Sequence, residues 1–167
     1  MSSAPTTLQE IFDIVVNGIR KQGGRSIKPL KELSIEEREE TNYSNYCLYR
    51  GPNGRKCGIG HLILDEFYNE DCENESASSG PHVRVALRLS GITPESCSMG
   101  HDLFFNALQE LQQAHDGSMS ETQLENEFAK FAEKHSLKYT KQSGWWTDPP
   151  PPELSEDDKN LLGLLND

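Results

Sequence analysis

The sequence predicts a mainly helical α+β domain, in which an N-terminal helix and a C-terminal antiparallel helical hairpin pack with a small β-hairpin. Three observations carry that reading. Apolar residues recur at helical spacing over 7–22, 101–115 and 121–135. Thr7 with Glu10, and Ser120 with Gln123, have the spacing of capping boxes, in which each side chain satisfies a backbone donor of the other. Between the first helix and that pair, Gly51-Pro52-Asn53-Gly54 separates two short runs, and Asn-Gly tolerates the positive φ values of a hairpin turn.

Taken in order, Leu8, Ile11, Phe12, Val15, Val16 and Ile19 form one apolar stripe, and Gly23-Gly24 ends the helix that bears it. Residues 25–43 are polar, with a surface helical turn expected from Ser34. Residues 45–50 suit a strand leading into the turn, and 55–59 suit either its return strand or the start of a short helix. The hairpin is thus placed at 46–59. Asn69 to Gly80 is acidic and serine-rich and is expected to be an exposed loop. A short helix over 82–90 carries Val83, Ala86 and Leu87 on one side and Arg84 and Arg88 on the other, and Gly91 stops it. Leu103, Phe104, Ala107, Leu108, Leu111 and Ala114 then mark one helix, and Leu124, Phe128, Phe131 and Ala132 the next. So short a link between the two makes them an antiparallel pair. The first helix is expected to pack on both.

Residues 1–140 read as one globular domain and 141–167 as an appendage. Trp145 and Trp146 precede four prolines, Pro149 to Pro152, which favour a stiff polyproline segment. After them comes an acidic element carrying Leu161, Leu162, Leu164 and Leu165. These leucines and the two tryptophans are the candidate partner-binding residues, because tryptophan is favoured at interface hot spots.

The totals narrow the function. The apolar fraction is 34%, so part of the chain is expected to stay outside the core. No apolar run approaches the ~20 residues of a membrane span, and Met1 to Thr7 lacks the charged start and apolar run of a signal peptide. A cytoplasmic location and four free thiols (Cys47, Cys57, Cys72, Cys97) follow as expectations. Net charge is −11. Residues 1–60 carry 9 Lys+Arg against 7 Asp+Glu, residues 61–120 carry 2 against 10, and residues 121–167 carry 5 against 10. Such a chain repels nucleic-acid phosphate over two thirds of its length, which argues against direct nucleic-acid binding.

Special chemistry concentrates in residues 46–63. As an anion site, Arg50, Arg55 and Lys56 would flank a glycine turn in which Gly51, Gly54, Gly58 and Gly60 let backbone N–H groups approach a phosphate. Tyr46 or Tyr49 would stack on a base, and His61 would complete the ligand set. The Walker spacing is absent, so the ligand class is a nucleotide or phosphorylated small molecule rather than a P-loop substrate. As a metal site, Cys57 and His61 stand i, i+4, Cys47 lies across the proposed hairpin, and His101 or Cys72 would complete a tetrahedron. As a nucleophile, Cys57 would need His61 as base, Lys56 and Arg55 to favour the thiolate, and Asp65 as orienting carboxylate. No catalytic signature is complete, so the reading leans away from an enzyme, and no cofactor is expected.

The pattern Cys47-x-Tyr49-Arg50-Gly51-Pro52-x-Gly54-x-Lys56-Cys57-x-x-Gly60-His61-Leu62-Ile63-x-Asp65-Glu66 resembles a group of small phage, prophage and bacterial proteins with no assigned activity. The likeness extends to the Leu-Gln-Glu-Ile-Phe helix at 8–12 and to Leu111-Gln112-x-x-His115-Asp116. It covers roughly 7–137, without the acidic loop and without the Pro-rich tail. The resemblance implies an accessory or anti-defence factor that binds and inhibits a host protein through its acidic surface and tail, or one that sequesters a signal nucleotide. Non-catalytic protein binding is the preferred expectation, nucleotide or phosphate binding the main alternative, and a Cys/His metal protein the second.

Overall fold

The computed structural model describes residues 4–28, 47–118 and 120–148. The expected surface turn near Ser34, the polyproline segment and Leu161, Leu162, Leu164 and Leu165 lie outside the described residues. Four α-helices organise the rest: α1 (Leu8–Gln22), α2 (Pro81–Leu89), α3 (His101–Asp116) and α4 (Glu121–Lys134). No helix among the described residues is long and apolar enough to cross a membrane.

Each helix starts and stops where local chemistry dictates. Thr7 caps α1 by accepting the Glu10 N–H at 3.1 Å, and Gly23 closes it in the left-handed conformation. Ser120 caps α4 by accepting the Gln123 N–H at 3.3 Å. Helix α2 is capped from a distance. Gly80 has no side chain to offer, and Glu75 in the acidic loop accepts the N–H groups of His82 and Val83 at 2.9 and 3.1 Å. The loop expected to be exposed is therefore partly turned inward, with Cys72 and Ala77 buried.

Helices α3 and α4 run antiparallel, as Glu110 on α3 meets Lys134 and His135 at the far end of α4 (2.6 and 3.0 Å). Helix α1 lies against this pair. The Phe12 ring stacks on Phe131 at 5.4 Å and meets Phe128 edge-on at 6.0 Å. Ile11, Val15 and Ile19 continue the seam with no exposed surface, and Cys57, Ile59 and Ile63 close the core from the loop side.

The α+β expectation is overturned. Among the described residues there is no β-strand, so the 46–59 segment is not a β-hairpin; the only sheet-like feature there is a single antiparallel bridge between Ile27 and Cys47. Asn53 (φ 58°) and Gly54 (φ 73°) do adopt the left-handed pair expected of a tight turn, and Gly51 N–H donates to Arg55 C=O at 2.8 Å. The ladder stops there because side chains take the donors a partner strand would use. Glu73 accepts the N–H groups of Tyr49 and Arg50 at 2.9 and 3.0 Å. Gln22 brackets Lys56, accepting its N–H at 3.0 Å and donating to its carbonyl at 2.9 Å. Gln112 accepts the N–H of Ile59 at 3.1 Å. With its backbone satisfied in this way, the segment folds into short 3₁₀ turns, Pro52–Gly54 and Ile59–His61.

The chain after α4 does not leave the domain at residue 140. Gln142, Trp145 and Trp146 donate backbone N–H groups to Glu125 and Glu121 on α4, and Thr147 N–H reaches Gly23 C=O at 2.7 Å.

Candidate functional site

The central loop is held between α1 and α3, and its cations serve the fold. Arg50 is the fastener. Its guanidinium donates to the carbonyls of Tyr49 (3.0 Å), Gly60 (2.8 Å) and Ile63 (2.7 Å), lies 2.9 Å from Asp65, and covers the Tyr68 ring at 4.7 Å. One planar fork thus closes the 57–63 turn, a task its fixed donor geometry suits better than an ammonium would. Lys56 meets Asp65 at 2.7 Å. Arg55 pairs with Asp148 and donates to Arg25 C=O at 3.0 Å. A phosphate at this loop has to compete with Asp65 and Asp148 for all three cations.

The other candidate ligand residues are also committed. Tyr49 is buried, and its hydroxyl donates to Glu75 C=O at 2.8 Å. Gly60 packs so closely that a Cβ there would collide with the Tyr49 carbonyl oxygen, which makes glycine a steric requirement. Gly51 lies against Ser26, Gly58 makes ordinary contact with Val15 and His115, and Gly54 faces open space.

Cys57 is fully buried, and its Sγ accepts the Gly60 N–H at 3.2 Å. Burial, reinforced by the nearby Asp116 charge, pushes its thiol well up, the opposite of what a nucleophile needs. Burial also holds His61 down to about 4, with the His115, Lys56 and Arg50 charges acting in the same direction. Its ring fills the space that the missing side chain of Gly18 leaves on α1. Asp65 is engaged by Lys56 and Arg50. His101 sits apart, beside Arg84, Asp102 and Phe105, and Cys72 lies near Asn69. All four cysteines are free thiols.

Two arrangements were not singled out as sites from sequence. Cys47 is brought to His115 and Asp116 at the end of α3, with one ligand atom of each within 4.8 Å of the others. The signal was the Gln112-x-x-His115-Asp116 run, three polar groups on the last turns of α3. The second is a face between α2 and the start of α3. Val85 (58% exposed) and Leu89 (56%) point outward one turn apart. Leu64 (52% exposed) joins them at the end of α2, where its N–H donates to Ser90 Oγ at 2.9 Å. Beside these residues lies an open cleft of about 340 Å³ whose lining includes Arg84, Arg88, Ile92, Glu95, His101 and Phe105. Arg84 covers the Phe105 ring at 4.4 Å and touches His101, and among the described residues neither Arg84 nor Arg88 forms an ion pair with a carboxylate.

Trp145 and Trp146 are half-buried on their own domain, 5.5 Å apart, with the Trp145 indole N–H donating to Glu125 at 2.9 Å. Comparison with family models, curated proteins and solved structures returns no match to this chain.

Proposed function

We propose that the chain is a non-catalytic protein-binding module whose docking face is the surface formed by α2 and the first turn of α3. The observation that carries this reading is the pairing of exposed Val85 and Leu89 with Arg84 and Arg88, which form no ion pair with a carboxylate among the described residues. In the central loop Arg50, Arg55 and Lys56 are all ion-paired; on this face two arginines stand against the single carboxylate of Glu95, which lines the same cleft.

Charge selects the partner. The chain carries −11 overall, so an acidic segment is repelled by most of the surface and attracted at the Arg84–Arg88 edge, which fixes its orientation as well as its position. The apolar residues at helical spacing suit an amphipathic helix laid along α2. The partner class is therefore a protein presenting an acidic amphipathic helix. The resemblance to phage-type accessory proteins would make it a host protein, and its occupation by this chain an inhibitory or anti-defence act. The test is affinity for the captured partner with R84E/R88E, alongside E127K/E133K on α4. The reading expects at least a tenfold loss for the first pair and little change for the second; the reverse result contradicts it.

A further inference from the structure

The cluster at the end of α3 supports a metal centre that keeps Cys47 of the set considered from sequence but replaces Cys57 and His61 with His115 and Asp116. Cys47 supplies a thiol, His115 an imidazole and Asp116 a carboxylate, with one ligand atom of each within 4.8 Å of the other two. Sulfur, nitrogen and oxygen donors in that combination suit a borderline ion of the zinc class rather than calcium or magnesium, which favour oxygen alone.

The surrounding groups hold the donors in place. Gln112 Nε2 donates to both Asp116 oxygens at 3.0 and 2.9 Å, while its Oε1 accepts the Ile59 N–H at 3.1 Å. This is the outer-shell support that orients a ligating carboxylate. A second, independent observation concerns His115 itself. The residue has no exposed surface; Nδ1 lies 2.9 Å from Asp116 Oδ1, and Nε2 is buried with no hydrogen-bond partner among the described residues. Buried polar atoms in folded proteins nearly always have partners, and this imidazole nitrogen belongs to a ring that stands beside a thiol and a carboxylate.

We propose that Cys47, His115 and Asp116 bind a divalent ion of the zinc class, with Cys47 coordinating as the thiolate after losing its proton to solvent. His115 forms the buried wall of the site. Cys47 and Asp116 are partly exposed and give the ion its way in. The described residues supply three protein ligands, one short of the four of a closed zinc site.

The full-length protein, stripped with a chelator and then titrated with Co²⁺, tests this. The expected result is saturation at one equivalent, with the thiolate-to-cobalt charge-transfer band and the visible bands of tetrahedral cobalt, all lost when Zn²⁺ is added. Absence of these bands at a large excess of Co²⁺ overturns the proposal. Alkylation with iodoacetamide, mapped by peptide mass, identifies the thiol without any substitution that could unfold the chain. Zn²⁺ should slow modification of Cys47 at least tenfold; equal rates with and without Zn²⁺ overturn the assignment.

Discussion

Arg20 and Glu125 are joined by two parallel hydrogen bonds of 2.8 Å, tying the last turns of α1 to α4 across 105 residues of chain. The same carboxylate accepts the Tyr139 hydroxyl at 2.5 Å, the Gln142 N–H at 2.9 Å and the Trp145 indole N–H at 2.9 Å. Five donors on one nearly buried carboxylate make Glu125 the knot where α1, α4 and the returning segment meet.

Replacing Glu125 should therefore cost more than a surface ion pair does. E125A leaves Arg20 buried without its counter-charge, and we expect a loss of about 3–5 kcal/mol in urea unfolding. A loss near the ~1 kcal/mol typical of exposed pairs would contradict this role.

Acid should destabilise the fold in two stages. Burial keeps His61 neutral, down at about 4. As pH falls below the ordinary histidine value, the unfolded chain takes up a proton that the folded chain refuses, and stability drops. Between pH 7 and 5 this amounts to about 2 kcal/mol. Glu125 acts lower. Burial pushes its carboxyl up, but Arg20, Tyr139 and Gln142 N–H outweigh burial and hold it below its ordinary value. Its contribution is present above that ordinary value and is lost as pH falls through the folded one. Urea midpoints across pH 7.5 to 3 check both stages, and H61Q should flatten the first alone.

Gly60 tolerates no side chain. G60A drives a methyl into the Tyr49 carbonyl and should cost about 1–3 kcal/mol, whereas G54A, next to open space, should cost only what its left-handed φ of 73° demands. Equal thermal midpoints for the two variants would contradict the packing described.

Arg50 should resist conservative replacement. R50K keeps the charge near Asp65 but cannot reach three carbonyls at once, and a loss of about 1–3 kcal/mol is expected. K56R, on a pair whose carboxylate is 75% exposed, should be within about 0.5 kcal/mol of the parent. Differential scanning calorimetry of the two variants separates a structural fastener from a loosely held charge.

The helices were legible because their cause is local. The stripe from Ile11 to Ile19 and the caps at Thr7 and Ser120 lie within a few residues of what they control. The expected β-hairpin failed for the opposite reason. Asn53-Gly54 made its turn, but the competing acceptors Glu73, Gln22 and Gln112 come from other elements, and no local pattern shows that they take the strand's donors. The same distance hid the fate of the loop cations. Asp65 is nine residues from Lys56, and Asp148 is 93 from Arg55. On its own, His115 fits a cation favoured at a helix C-terminus; its approach to Cys47 depends on how the loop crosses α3. The docking face was half legible: the sequence separated Arg84 and Arg88 from the apolar side of α2 but could not show Val85 and Leu89 left uncovered.

The most direct test of the docking face is site-specific photo-crosslinking in the producing cells, with the reactive residue at position 89 on α2 or, as a control, at position 133 on α4. The account predicts one host protein joined at position 89, through an acidic amphipathic segment, and lost when Arg84 and Arg88 are reversed to glutamate. Joining at position 133 instead, or joining at 89 that survives the charge reversal, would contradict it.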